Sequence, residues 1–189
     1  MARQSHILQH PGGGDLEVQR DVVITGMGVV SPIGIGCEAY WKSLCDQRSG
    51  VARLPDRTHL ELPLCLGGAI RDFDPRQYIK PRKALKVMSR EIQLGCAAAR
   101  LAVEQAQIED QRVDSGRLGV VFGGDMLYCE PGELQDVYER CTADGQFCFD
   151  RWGTVAMAQL YPLWMLMYLP NMIACHIGIA HAARGSSNT

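Results

Sequence analysis

The sequence predicts an α/β fold, and three observations carry that expectation. A compact β-branched run opens at Asp21 with Val22, Val23, Ile24 and Thr25, a composition suited to a strand buried on both faces. Over residues 81–107, Leu85, Met88, Ile92, Cys96, Ala99, Val103 and Ala106 recur at three- and four-residue intervals, which aligns them on one face of a long helix. Residues 117–124 then read as a second strand.

Composition permits one domain with a substantial core. The 189 residues fall in the single-domain range, and a hydrophobic share of 47% argues against wholesale disorder. The net charge is −2, with acidic and basic residues interspersed, so there is no electrostatic footprint for nucleic acid. Eight cysteines suggest a disulfide scaffold or a zinc site, but no pair has Cys-x-x-Cys spacing and the N-terminus lacks the apolar core of a secretory signal. Reduced cysteines in a cytoplasmic protein, mostly acting as small buried hydrophobes, are the expectation. No metal site is expected.

Residues 1–20 read as a flexible leader. They carry Gly12, Gly13 and Gly14 after Pro11, with no apolar period of either kind. The domain is expected to run over 21–189. Its first strand turns through Gly26 and Gly28, which invites comparison with a dinucleotide fingerprint. Ser31 stands where the third glycine belongs, however, and Asp46, the acid at the right distance, lies in a predicted helix, so no nucleotide cofactor is expected.

Trp41 and Leu44 are one helical turn apart and can pack on one face, and Gly50 suits a chain reversal after that helix. Gly67 and Gly68 begin a short strand that leads through Phe73, Asp74 and Pro75 into a turn. The many alanines of the 81–107 helix imply close approach of a neighbouring element. Its small seam residues, and the absence of a partner helix, argue against a coiled coil.

No Asp, Glu, Lys or Arg occurs between Arg151 and Arg184. That is long enough to span a bilayer, but Gln159, Pro162, Pro170, Asn171, His176 and His181 interrupt it, and no membrane span is expected. Trp164, Met165, Met167 and Tyr168 read instead as an apolar surface for a partner. Cys175 and His176 are adjacent, so a helix points them about 100° apart and they cannot form a thiolate–imidazolium pair. His181 is likewise off the His176 face.

These segments together resemble the β-ketoacyl-acyl-carrier-protein synthases. The run from Val22 to Gly34, VVITGMGVVSPIG, supplies every position of the strand with which that family begins. Trp41, Leu44, Ser49 and Gly50 match its W-x-x-L-x-x-G-x-S-G, with Gln47 where glycine is usual. Residues 67–75 resemble its aspartate–phenylalanine turn, and Gly123, Gly124, Asp125 and Met126 fall on its G-S-G-I/M quartet. Asn171-Met172 and Arg184-Gly185 resemble the approach to the active site.

The resemblance implies the N-terminal half of a thiolase-like fold, with layered helices and a mixed sheet. It makes Met126 a candidate acyl-pocket wall, with core filling as the alternative role. It implies no catalytic residue within this chain: the nucleophilic cysteine and two histidines are expected beyond Thr189. No cofactor is implied. In the complete enzyme the partners are an acyl-carrier protein and an acyl thioester, and the assembly is a homodimer or a pair with a ketosynthase-like chain. Two functions follow. One is the N-terminal portion of a decarboxylating condensing enzyme, inactive as this chain alone. The other is a non-catalytic subunit resembling a chain-length factor, suggested by Ser186 where the family has proline and by Ser187, Asn188 and Thr189 after it. A half fold should also expose a large apolar patch, so self-association or partial disorder towards the C-terminus is expected.

Overall fold

The computed structural model describes residues 21–54, 65–108, 113–125 and 129–189. The leader at 1–20 and the candidate pocket residue Met126 lie outside these. Among the described residues, five α-helices and eight short strands follow in the order β1 (Val30–Ser31), β2 (Gly34–Ile35), α1 (Cys37–Cys45), β3 (Val51–Arg53), β4 (Leu66–Gly68), α2 (Arg90–Gln105), β5 (Val120–Val121), α3 (Pro131–Cys141), β6 (Thr142–Ala143), β7 (Gln146–Phe147), α4 (Trp152–Gln159), α5 (Met172–Ala180) and β8 (Ser187–Asn188).

The strands form four two-stranded ladders. Three are antiparallel: β1 with β2, β3 with β4, and β6 with β7. The fourth, β5 with β8, is parallel and joins segments more than sixty residues apart in sequence. The β6–β7 hairpin turns on Asp144 and Gly145, both at positive φ (50° and 74°), as a two-residue hairpin loop requires.

Helix α2 organises the interior. Ser89 caps it, its hydroxyl accepting from the Ile92 N–H, and Glu91 complements the positive end of the dipole in the first turn. The predicted helix over 81–107 is therefore shortened. Residues Arg82–Val87 form a 3-10 turn, and extended backbone at Met88 and Ser89 separates it from α2, because the Ser89 cap starts a new helix there. The apolar face works as expected: Met88, Ile92 and Cys96 join Ile79, Ile173 and Ile177 in the main core, between α2, α5 and the 3-10 segment. Fully burying one such side chain is worth about 1.5–3 kcal/mol.

The alanines of α2 serve the close approach that the composition implies. A Cβ added at Gly28 would overlap the Ala98 carbonyl, and one at Gly26 would overlap the Ala102 carbonyl. Backbone at 26–28 thus lies directly on α2, which gives both glycines a packing role in place of phosphate binding.

Two sequence expectations are corrected here. The run at Asp21–Thr25 carries no strand, and Val22 is fully exposed, because no segment supplies ladder hydrogen bonds to it among the described residues. Trp41 and Leu44 do share α1 but remain 67% and 43% exposed among the described residues. The cysteines divide unexpectedly too. No disulfide joins any of them, yet only Cys96 and Cys141 are buried, and Cys45 and Cys175 are exposed.

Helices α1, α2 and α5 all end in the same way. At α1 the Arg48 N–H donates to the Ser43 carbonyl and the Gln47 N–H to Leu44, with Gln47 left-handed at φ 54°. Gln107 (φ 54°) and Ala182 (φ 50°) close α2 and α5 through the equivalent pairs of bonds. Each position favours glycine, and none has it.

Candidate functional site: the carboxyl edge of β5 and β8

The parallel pairing of β5 with β8 places the ends of two distant segments side by side. Val120 is opposite Ser187 and Val121 opposite Asn188, and the ladder continues through Val120 N–H to Ser186 O (3.2 Å) and Phe122 N–H to Asn188 O (3.0 Å). Close approach is enforced at the other end. The Gly185 N–H donates to Leu118 O at 2.8 Å, and a Cβ at Gly119 would overlap the Ser186 carbonyl. Because the strands are parallel, both carboxyl ends emerge at one edge, the usual ligand-binding edge of an α/β sheet.

Three predicted features meet there. A Cβ on Gly124 would lie 3.5 Å from the Thr189 methyl and 3.8 Å from the Pro170 carbonyl. Gly123 has open space around it, and Asp125 is exposed. The glycine pair after β5, the final residue of β8 and the entry to α5 therefore border one region. Met126 follows directly in sequence but lies outside the described residues.

A groove of about 770 Å³ runs beside this edge, lined by Asn171 at the start of α5, by Cys175 and Ile179 within it, and by Arg184, Asn188 and Thr189. Cys175 is exposed on it, and the Asn171 amide approaches its sulfur at 3.9 Å. His176 turns the other way, into the core, where it is 9% exposed. The adjacent thiol and imidazole thus occupy different faces of α5, as the helical spacing requires. The thiol of Cys96, a cysteine in the core beside α5, is pushed up to about 11 by burial and stays neutral at physiological pH. No group of three or more His, Cys, Asp or Glu suited to a metal ion occurs among the described residues.

One element of the site was not foreseen. Glu133, in the first turn of α3, accepts from the Trp164 indole N–H (2.8 Å) and from the Tyr168 hydroxyl (2.6 Å and 2.7 Å to its two oxygens). Burial first, and then the Glu133 hydrogen bond and charge, hold the Tyr168 phenol far above its ordinary range. This anchors the charge-free stretch just before Asn171, which borders the groove. The expected apolar surface at 164–168 is instead half-buried at Trp164, Met167 and Tyr168, with Met165 exposed. The available signal was two aromatics with polar tips at four-residue spacing in a segment without charges. No helix among the described residues is long and apolar enough to cross a membrane.

Comparison with known proteins accounts for the arrangement. Residues 19–189 match the family model described as beta-ketoacyl synthase, N-terminal domain. The 3-oxoacyl-[acyl-carrier-protein] synthase 2 of Vibrio cholerae is 29% identical over 170 residues, covering 88% of this chain and 37% of that protein. A crystal structure of a beta-ketoacyl synthase from Burkholderia phymatum superposes with a TM-score of 0.66 at 24% identity, over 87% of this chain and 38% of the other. The ishigamide ketosynthase/chain length factor gives 0.66 at 23%, over 88% and 38%. The fold is that of the ketosynthases, thiolase-like and α/β. The chain spans less than two fifths of each of these relatives.

Proposed function

Because this chain belongs to the β-ketoacyl synthase family and matches its N-terminal domain, we propose that it supplies that half of a 3-oxoacyl-[acyl-carrier-protein] synthase. The complete enzyme takes an acyl group onto a cysteine, whose thiol is activated at a helix N-terminus. Loss of carbon dioxide from a malonyl thioester then gives a carbanion that attacks the acyl thioester, forming the carbon–carbon bond as the acyl C–S bond breaks and the cysteine thiolate leaves. The observation that carries this reading is the meeting of Gly124 and Thr189 at the carboxyl edge of β5 and β8. That edge holds the glycine pair that leads to Met126, the candidate pocket wall, against the strand expected to lead to the nucleophile.

The chain's own residues have scaffolding roles in this scheme. The β5–β8 hydrogen bonds fix the direction in which the chain leaves Thr189, and Glu133 holds the segment that enters α5. Met126 remains the proposed pocket wall. A carrier-borne substrate also needs a surface for the carrier to rest on. Lys80, Arg82, Lys83, Lys86 and Arg90 are all exposed within eleven residues that contain no acid, and they offer such a surface to a partner of opposite charge.

A second reading, a non-catalytic subunit that pairs with a ketosynthase, is favoured by Ser186 in place of the family's proline. One experiment separates the two. The chain as given, and the same chain extended by its downstream coding sequence, are incubated with a labelled acyl-carrier protein, and covalent label is mapped by mass spectrometry. Label on a cysteine beyond Thr189, with none on the shorter chain, supports the enzyme. An extended chain that lacks that cysteine and stays unlabelled, yet co-purifies with an active ketosynthase, supports the subunit. Acylation of Cys175 overturns both.

A further inference from the structure

A smaller cavity of about 190 Å³ lies between α2, residues 78–88 and the end of α5, on the His176 side of that helix. Its volume is several times the roughly 30 Å³ that one water occupies, and below the roughly 300 Å³ at which drug-sized sites begin. It suits a small organic molecule.

The lining has two characters. Ile79, Met88 and Ile177, all buried, form an apolar wall. Lys80 and Arg100 contribute two exposed cations, and His176 and His181 contribute two imidazoles, while no Asp or Glu lines the cavity among the described residues. Lys80 makes no ion pair among those residues either. Arg100 meets Glu104 through Nε–H alone, which is one of the five donors of a guanidinium. His176 is the innermost polar group of the lining: it is nine-tenths buried, and its Nε2 has no hydrogen-bond partner. A buried polar atom of this kind calls for a partner.

We propose that this cavity is a binding site for a short-chain aliphatic carboxylate. The head group accepts from Nε2–H of His176 and from the Arg100 guanidinium, with Lys80 adding positive charge, and the tail rests on Ile79, Met88 and Ile177. Nε2 carries a hydrogen in one neutral tautomer and in the imidazolium, so it serves as the donor in both. The apolar wall selects against a wholly polar anion such as phosphate, because oxygens turned towards it would lose their hydrogen bonds. The site involves neither Cys175 nor the β5–β8 edge, and it stands whether or not the chain serves a condensing enzyme.

A bound carboxylate also changes the balance at the ring. Burial lowers the proton affinity of His176, and the titratable groups beside it in the lining are Tyr78, Lys80, Cys96, Arg100 and His181, none of them a carboxylate. A negative head group favours the imidazolium, so His176 should titrate at higher pH with ligand bound.

The test is an NMR titration of the unaltered chain with butyrate, butyramide and inorganic phosphate at constant ionic strength, following the His176 imidazole and the Met88 and Ile177 methyl groups. Butyrate should give saturable shifts at all three residues and raise the pH at which His176 titrates. Butyramide and phosphate should each bind at least about tenfold more weakly, as should butyrate to Arg100→Gln, since each change removes a charge-assisted contact or exposes oxygens to the apolar wall. Arg100 is exposed on α2, and circular dichroism checks that the variant keeps its fold. No saturable shift with butyrate, equal binding of butyramide, tighter binding of phosphate, or full affinity in a folded Arg100→Gln chain would each overturn the assignment.

Discussion

The described residues form two cores, built on different plans. The main core draws Ile79, Met88, Ile92 and Cys96 together with Ile173 and Ile177, from segments separated by some eighty residues, and it fixes the sheet edge through Phe122, which packs against it. The smaller core, Val137, Cys141 and Ala156 with Trp152, Val155 and Leu160, is local to α3 and α4. It is roofed by an aromatic trio of Tyr138, Phe147 and Trp152, with ring centroids 5.1 to 6.0 Å apart. The long-range core positions the site. The local one is an appendage, tied to the site region through Glu133.

Substitutions at the centre of each core would break that distinction or sharpen it. Ile92 is completely buried, and Ile92→Ala should cost about 2–5 kcal/mol and abolish exchange protection in α2, α5 and β5 together. Val137→Ala should cost less and loosen α3 and α4 while Val120 and Phe122 stay protected. Equal loss of protection throughout after Val137→Ala would mean that the two cores are one cooperative unit.

Next in size is Gly28→Ala, whose new Cβ would overlap the Ala98 carbonyl. Overpacking of this kind should cost about 1–3 kcal/mol by denaturant melt, whereas Gly123→Ala, with open space around it, should have little effect. A Gly28→Ala chain as stable as the original would remove the packing role assigned to the 26–28 segment.

Glu133→Gln addresses the tie between the regions. Two hydrogen bonds of an exposed carboxylate are weakened, so stability should fall by only about 1 kcal/mol. The sharper readout is Tyr168: without the neighbouring negative charge its phenol should ionise at lower pH, as followed by phenolate absorbance. An unchanged titration would show that Glu133 does not contact that hydroxyl in solution.

The smallest effect has the opposite sign. Gln47, Gln107 and Ala182 hold left-handed conformations at the ends of three helices, and Gln47→Gly should raise stability by about 0.5–1 kcal/mol in a thermal melt. A loss of stability would mean that Gln47 makes a side-chain contact worth more than the backbone strain.

The sequence made the family legible because its signature residues are those whose backbone or packing role admits few alternatives. Gly26 and Gly28 press on α2, Asp74 caps the turn at Pro75 and accepts from Arg76, and Gly185 contacts Leu118. The face of α2 was likewise readable from its period. The unread parts depend on chain that pairs across space. Residues 21–25 have the composition of a buried strand, yet composition cannot supply a ladder partner, and Val22 stays exposed. The break at Met88–Ser89 was hidden because Leu85, Met88 and Ile92 keep helical spacing across it. Glu133 was invisible for a related reason, since its partners lie 31 and 35 residues away.

The most direct test of the proposed site is amide exchange at Val120 and Phe122, whose N–H groups donate to Ser186 and Asn188. Strong protection of both, lost when the chain is cut back to Arg184, is the expected result, and it would place Gly124 and Thr189 at one edge. Exchange of both amides at the rate of an unstructured peptide in the intact chain would contradict the pairing and the site built on it.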